Sequence, residues 1–344
     1  MSLKPCLACA SDRARQRFTV CEMMFGLGGS FEYWECAECG AIQIAAPPED
    51  LARYYRAVGY YSFRDPRRGW LRASFKRQRA RYAFTGRGTA GRLLTVRYGY
   101  PQIIGWLKEW IANAGLTPDQ EILDVGCGNA PHFIDLMDVG FFHLTGVDPY
   151  IVGDIEFGRG VKVRKLDLKD VKHEYDFVML HHSFEHMDDP RNVMRELIRV
   201  VKPGKYVLIR TPVAGSFAWR TYHANWVQLD APRHLFIPSV QSMFLLAGAA
   251  GFDVARVVFD SDDLQFWGSE QYARGIPMMD TNWHVTRPRP GLFSETELMS
   301  FREHARQLNE TGEGDSAAFY LRRPDPAQNY GPATPGLAMR EGFS

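Results

Sequence analysis

Hydrophobic and polar positions change period several times along the chain, and each change marks an element. From Glu121 onward, short apolar runs alternate with helical periods. Residues 121–125 (E-I-L-D-V) read as a buried strand, and Phe133, Leu136 and Met137 as the apolar side of the helix that follows. H-L-T-G-V-D-P gives a second strand ending in Asp148, V-K-V-R-K-L-D-L a third ending at Asp167, and Y-D-F-V-M-L a fourth. Asp189-Pro190 supplies an N-cap and a first-turn proline for a helix with Val193, Leu197 and Val201 on one face, stopped by Lys202-Pro203-Gly204. Y-V-L-I-R-T-P is the fifth strand and V-A-R-V-V-F the sixth; residues 294–310 form a helix, and A-A-F-Y-L-R-R is an antiparallel seventh strand. This alternation predicts an α/β fold around a mostly parallel sheet, with ligands at the carboxyl ends of the strands. Between Asp148 and Val161 there is no helical period, so the second crossover is expected to lack its helix.

The first 46 residues have a different logic. Four of the six cysteines fall as two C-x-x-C pairs, Cys6/Cys9 and Cys36/Cys39. Two such knuckles supply the four thiolates of a closed tetrahedral zinc site, which leaves no position for a water. The spacing therefore predicts a structural zinc ribbon, stabilising a segment too short to bury enough surface alone. Phe31, Tyr33 and the approach to Cys36 read as a strand, and Cys21 stays outside the site. The expected plan is a ribbon at 1–46, a basic helical connector at 47–118, an α/β domain at 119–325 and a disordered tail at 326–344.

Composition adds one asymmetry. The 344 residues are 45% apolar and 24% charged, ordinary for a globular protein, and the net charge is +1. Yet residues 64–97 hold eleven Lys and Arg against one acid, Asp65. Leu71, Phe75 and Tyr82 give this stretch one helical face with a basic outer side. The arginines are read as solvated, or as a binding face for substrate phosphates through Arg77 and Arg81. A helix lying on a membrane surface is a further reading, supported by Trp70 and the arginines but by no extended apolar face. Nucleic acid is not expected, since no recognition motif accompanies the charge. Without a signal-peptide stretch or a run of eighteen apolar residues, the chain reads as cytoplasmic.

The loop after the first strand carries the cofactor chemistry. It runs G-C-G-N-A-P from Gly126, so Pro131 stands where a dinucleotide fingerprint needs its third glycine. Asp124, two residues before Gly126, disfavours a phosphate and suits a cationic cofactor. Asp148 is placed for ribose hydroxyls and Asp167 for an adenine amino group. D-V-G-C-G-N-A with the downstream D-P resembles the S-adenosylmethionine-binding motifs of class I methyltransferases. H-S-F-E-H-M-D-D-P, R-V-V-K-P-G and L-D-A-P-R-H-L-F extend the resemblance to the type-23 methyltransferase group, often found with polysaccharide and deoxysugar genes. It covers most of residues 119–325 and implies a Rossmann-like seven-stranded sheet. It also implies that Asp124, Gly126, Cys127 and Gly128 surround the methionyl end of S-adenosylmethionine, that Asp148 and Pro149 hold the ribose, and that Asp167 and Leu168 flank the adenine. Ala130 and Lys205 replace glycines usual in the group.

Methyl transfer needs the acceptor held in line and its proton removed. His182 and His234 are the candidate bases, because histidine titrates near working pH. His181 is expected to face the adenosyl group. Glu185 and His186 form either a structural pair or, with His182, a divalent-metal site that polarises a hydroxyl. Tyr222, Asn225, Trp226, Gln228, Asp230 and Arg233, with Gln265 and Glu270 in a second loop, combine flat rings with amides and carboxylates suited to a polyhydroxylated ring. The expected reaction is therefore methylation of a sugar hydroxyl on a nucleotide-linked or lipid-linked glycan, the basic segment holding its pyrophosphate. Two alternatives remain: O-methylation of a small natural-product or quinone-type phenol, and a non-catalytic scaffold docking through the ribbon.

Overall fold

A computed structural model of the chain describes residues 4–55, 70–279 and 288–326. Strands β1 (Ala14–Cys21), β2 (Ser30–Cys36) and β3 (Ile42–Ile44) form an antiparallel meander behind the two cysteine knuckles. Helices α1 (Trp70–Thr85), α2 (Thr89–Tyr98) and α3 (Gln102–Ala114) follow. The buried face of α1 carries Ala80 and Ala83, whereas Phe75, expected to pack, is exposed. Ala80 and Ala83 pack in one core with Phe133, Leu136 and Phe141, whereas α2 crosses the other side of α1 at Gln78 and Tyr82, where a Cβ on Gly91 would stand 2.3 Å from the Gln78 carbonyl oxygen.

The α/β unit then runs β4 (Ile122–Val125), α4 (Pro131–Val139), β5 (Leu144–Val147), β6 (Ile155–Gly158), β7 (Val161–Arg164), β8 (Tyr175–His181), α5 (Pro190–Val200) and β9 (Val201–Pro212). It continues with α6 (Phe217–Tyr222), β10 (Phe236–Ile237), α7 (Val240–Ala250), β11 (Asp253–Phe259), α8 (Leu264–Ala273), α9 (Glu295–Thr311) and β12 (Ser316–Arg322). Local signals fix the helix ends. Asp189 caps α5 and Pro190 opens it, while Ser294 and Glu297 close a capping box on α9.

The main sheet has the order β11-β12-β9-β8-β4-β5-β7-β6. Strands β4, β5, β7, β8 and β9 are parallel, and β12 lies antiparallel between β9 and β11, as the pattern predicts. It has eight strands rather than seven. The chain between Asp148 and Val161 contains no helix; β6 turns back along β7 and becomes the sheet edge. The segment 260–272, expected as a loop, contains α8, whose Gln265, Phe266 and Trp267 are buried.

The expected boundary at residue 46 is not a boundary of the sheet. Strand β10, from the α/β unit, pairs with β3 and becomes the fourth strand of the amino-terminal sheet. One core also holds Cys6, Ala8, Trp34, Cys36 and Cys39 together with Met194, Leu197, Met243 and Leu246 of α5 and α7. The opposite face of the main sheet is covered by α1, α3 and α4. Most of the expected tail lies outside the described residues.

Candidate active site

The carboxyl ends of β4, β5 and β8 meet around the glycine loop. Asp124 is buried near the end of β4, where burial first and the Asp148 charge second push its carboxyl well above the usual range. Among the described residues no cationic side chain pairs with either carboxylate, so a cationic ligand would relieve both. Asp148 accepts the Gly128 and Tyr150 backbone N–H groups, at 2.9 and 2.8 Å, which leaves further lone pairs for hydroxyls. Gly126 (φ +71°) lies against Ser183, whose Oγ donates to the Val125 carbonyl. A side chain at Gly126 would stand 2.5 Å from the Ser183 Cβ. Cys127 is buried against Gly146, Pro149 is exposed, and Asp167 caps the turn 168–170 beyond β7 while Leu168 enters the core.

His181 ends β8 inside an aromatic wall of Trp106, Trp110 and His132, with ring centroids 5.3–5.9 Å away. Burial holds its pKa well below the usual value, and its Nε2 is buried with no protein partner. An unpartnered ring nitrogen, two carboxyl groups without a cationic partner among the described residues and a side-chain-free cradle fit a cofactor with a cationic amino-acid end, a ribose and no phosphate.

Beyond β8, His182 adopts φ +49°, a left-handed turn that costs of order 1–3 kcal/mol and clusters at functional sites. The guanidinium of Arg210, which can only donate, engages its Nε2, so Nδ1 carries the proton and donates to Glu185 Oε1 at 3.3 Å. Glu185 is fully buried and also accepts Thr211 Oγ1 at 3.0 Å. Burial alone would raise this carboxyl; the hydrogen bond from His182 and the neighbouring histidines outweigh it and hold the pKa at about 2. On the other side, His234 Nδ1 donates to the Gln228 carbonyl at 2.6 Å. Its bare Nε2 faces Glu185 at 3.9 Å and Asp230 at 3.8 Å. Burial first and His234 second lower the His186 pKa below the usual histidine value, and its Nδ1 donates to the Arg233 carbonyl. Glu185, His186 and His234 each bring one ligand atom within 4.8 Å of the others, so the expected metal trio with His182 does not form as drawn.

The substrate-facing reading of residues 221–236 needs correction. Trp226 is fully buried and donates to Asp315, and Arg233 is fully buried between Glu22, Asp230 and the Tyr54 carbonyl. Tyr222 donates to Glu270, and Gln265 is buried against the Asp262 carbonyl. Of the predicted residues Asn225 is exposed, and Tyr222, Gln228 and Glu270 are partly so. Arg77 and Arg81 are not at the rim either. Arg77 pairs with Asp138, about 12 Å along α4 from the cofactor loop, and both arginines line a separate cleft of about 380 Å³. Sequence reasoning missed Trp106, His132, Ser183, Arg210 and Thr211; only Arg210 and Thr211 left a signal, as polar positions in the otherwise apolar end of β9.

The amino-terminal cluster converges as the spacing predicts. Cys6 Sγ lies 3.5 Å from Cys39 Sγ, and Cys9 Sγ 3.5 Å from Cys36 Sγ. A tetrahedron with metal–sulfur bonds of about 2.3 Å has edges of about 3.8 Å, so the four thiols fit one ion.

The fold and this site define a class I methyltransferase core. The pattern of a methyltransferase-domain family matches residues 97–257. A ubiquinone biosynthesis O-methyltransferase of Pseudomonas fluorescens is 30% identical over 202 residues, 54% of this chain and 83% of that protein. One from Pseudomonas savastanoi pv. phaseolicola is 32% identical over 133 residues, 34% of this chain. The chain spans about half the length of that relative, 55%. A cyclopropane synthase structure from Mycobacterium tuberculosis aligns with a TM-score of 0.40 at 14% identity, covering 63% of this chain and 83% of that one. The chain belongs to the S-adenosylmethionine-dependent methyltransferase family.

Proposed function

We propose that the chain methylates a phenolic hydroxyl of a small aromatic acceptor, with His234 as the base. The observation that carries this reading is the bare His234 Nε2 facing two buried carboxylates, at 3.9 and 3.8 Å, with its other nitrogen tied to a carbonyl. When bound, S-adenosylmethionine supplies a methyl carbon already activated by its sulfonium. Asp124 and Asp148 would hold its amino-acid and ribose ends, with His181 beside it. Nε2 takes the hydroxyl proton, and the imidazolium it becomes rests against Glu185 and Asp230. His182, tied to both Arg210 and Glu185, positions the carboxylate rather than receiving the proton. A phenol, with a pKa near 10, is within reach of such a base, whereas a sugar hydroxyl is far less acidic. The aromatic wall around His181 suits a flat ring, and the inward-facing Trp226 and Arg233 withdraw the support for a glycan. The relatives named as O-methyltransferases agree with oxygen as the acceptor atom.

The four cysteines are proposed to hold one structural zinc. His234→Ala is expected to lower kcat on a hydroxylated aromatic by about 10² to 10⁴ with cofactor affinity retained. S-adenosylhomocysteine release measured over matched panels of phenols and sugar nucleotides tests the class. Turnover confined to sugar nucleotides, or wild-type rates in His234→Ala, overturns the reading.

A further inference from the structure

Helix α2 is amphipathic the wrong way round for a helix that serves only the fold. Its buried residues are Gly91 and Thr95, while Leu93 and Val96 are 72% and 81% exposed. At 100° per residue, Leu93 and Val96 occupy the middle of the outer face, and exposed Arg92 and Arg97 stand on its two sides. Tyr98 and Tyr100, at and beyond the carboxyl end of α2, are 61% and 65% exposed, with the Arg97 guanidinium 5.1 Å over one ring and the Lys108 ammonium 5.6 Å over the other. Arg81 and Thr85 line both neighbouring clefts, one with Arg77 and Arg159 and the other with Arg87 and Gly88. Residues 74–100 contain seven cations and no acid.

We infer that the outer face of α2 docks on an anionic lipid bilayer. Leucine and valine at the centre enter the boundary between headgroups and acyl chains, the tyrosines sit at headgroup level, and the flanking arginines reach back to lipid phosphates. A second copy of the chain does not complement this face, since it would set Arg92 and Arg97 against the same two cations of the copy. A nucleic acid would satisfy the arginines but leave Leu93 and Val96 wet. The face lies on the far side of α1 from the main sheet, so the inference stands apart from the identity of the acceptor.

The test is co-sedimentation of the full chain with vesicles of phosphatidylcholine alone and with phosphatidylglycerol added. Binding is expected only with phosphatidylglycerol, and it should weaken as salt rises. Arg92→Gln with Arg97→Gln should lower partitioning by about thirtyfold, at roughly a fivefold factor per charge. Leu93→Asp with Val96→Asp should lower it at least as far, with the thermal midpoint and S-adenosylmethionine affinity of the wild type. Equal binding to both vesicle types, wild-type partitioning of the Leu93/Val96 variant, or a dimer that this variant converts to monomer would each overturn the inference.

Discussion

The ion pair between Glu22 and Arg233 ties the amino-terminal sheet to the residue preceding His234, and its removal has a calculable effect. Both side chains are fully buried and 3.0 Å apart. At an effective dielectric of about 20, unit charges at that distance attract by about 5 kcal/mol, offset in part by desolvation of both groups. Arg233→Met keeps the length of the side chain but strands Glu22 and Asp230 inside the protein. The expected loss of stability is about 3–5 kcal/mol. Glu22→Gln alone should cost less, because the Gln carbonyl still accepts one of the Phe25 and Leu27 backbone N–H groups that Glu22 now accepts. Urea unfolding of the two single variants and the double variant closes a cycle, and a coupling energy of about 1.5 kcal/mol or more is expected. Single effects that add to within about 0.5 kcal/mol would refute the reasoning. Turnover supplies a second readout: loosening the 230–234 turn should lower kcat while leaving S-adenosylmethionine binding intact.

Three further outcomes follow from particular sites. Burial pushes the Asp315 carboxyl up to about 7 although it accepts the Trp226 indole N–H. A raised acid stays protonated in the folded state while the unfolded chain ionises, so the stability that Asp315 contributes is complete below about pH 4 and is lost as pH rises toward 7, by an amount of order 4 kcal/mol. Asp315→Asn should flatten that slope in urea titrations run at each pH; an unchanged slope rejects the assignment. Gly126→Ala forces a Cβ to 2.5 Å from Ser183 at positive φ, and calorimetry should detect no S-adenosylmethionine binding. Atomic emission should find one zinc per chain, and chelation should lower the thermal midpoint, since the knuckles share a core with α5 and α7. A metal-free chain with the wild-type midpoint would contradict that.

Period and punctuation made the α/β unit legible. Strands β4, β5 and β8 are short, largely apolar runs and β7 alternates, Asp124, Asp148 and the β8 histidines fall at or near strand ends, and the absent second helix shows as a missing period. The cysteine knuckles were legible because metal ligation demands a spacing. Other features leave no local trace. Strand β10 is two residues long and pairs with a partner far away in sequence, and nothing near Phe236 announces it. Arg233, Asp230 and Trp226 have the composition of a sugar site, yet a buried polar network needs those same residues; only burial and partners tell the two apart. Similarly, the α1 pattern predicts a face through Phe75, whereas the buried side carries Ala80 and Ala83, packed with Phe133, Leu136 and Phe141.

The pairing of β3 with β10 also orders events during synthesis. The knuckles and the first three strands leave the ribosome early, with Ile42 and Gln43 exposing an open hydrogen-bonding edge. That edge is capped only when Phe236 and Ile237 emerge, after most of the α/β unit has been made. The amino-terminal sheet is thus begun well before the α/β unit and among the last parts to be finished. A truncated product ending before residue 236 carries an unpaired, apolar strand edge, which marks it for aggregation or proteolysis.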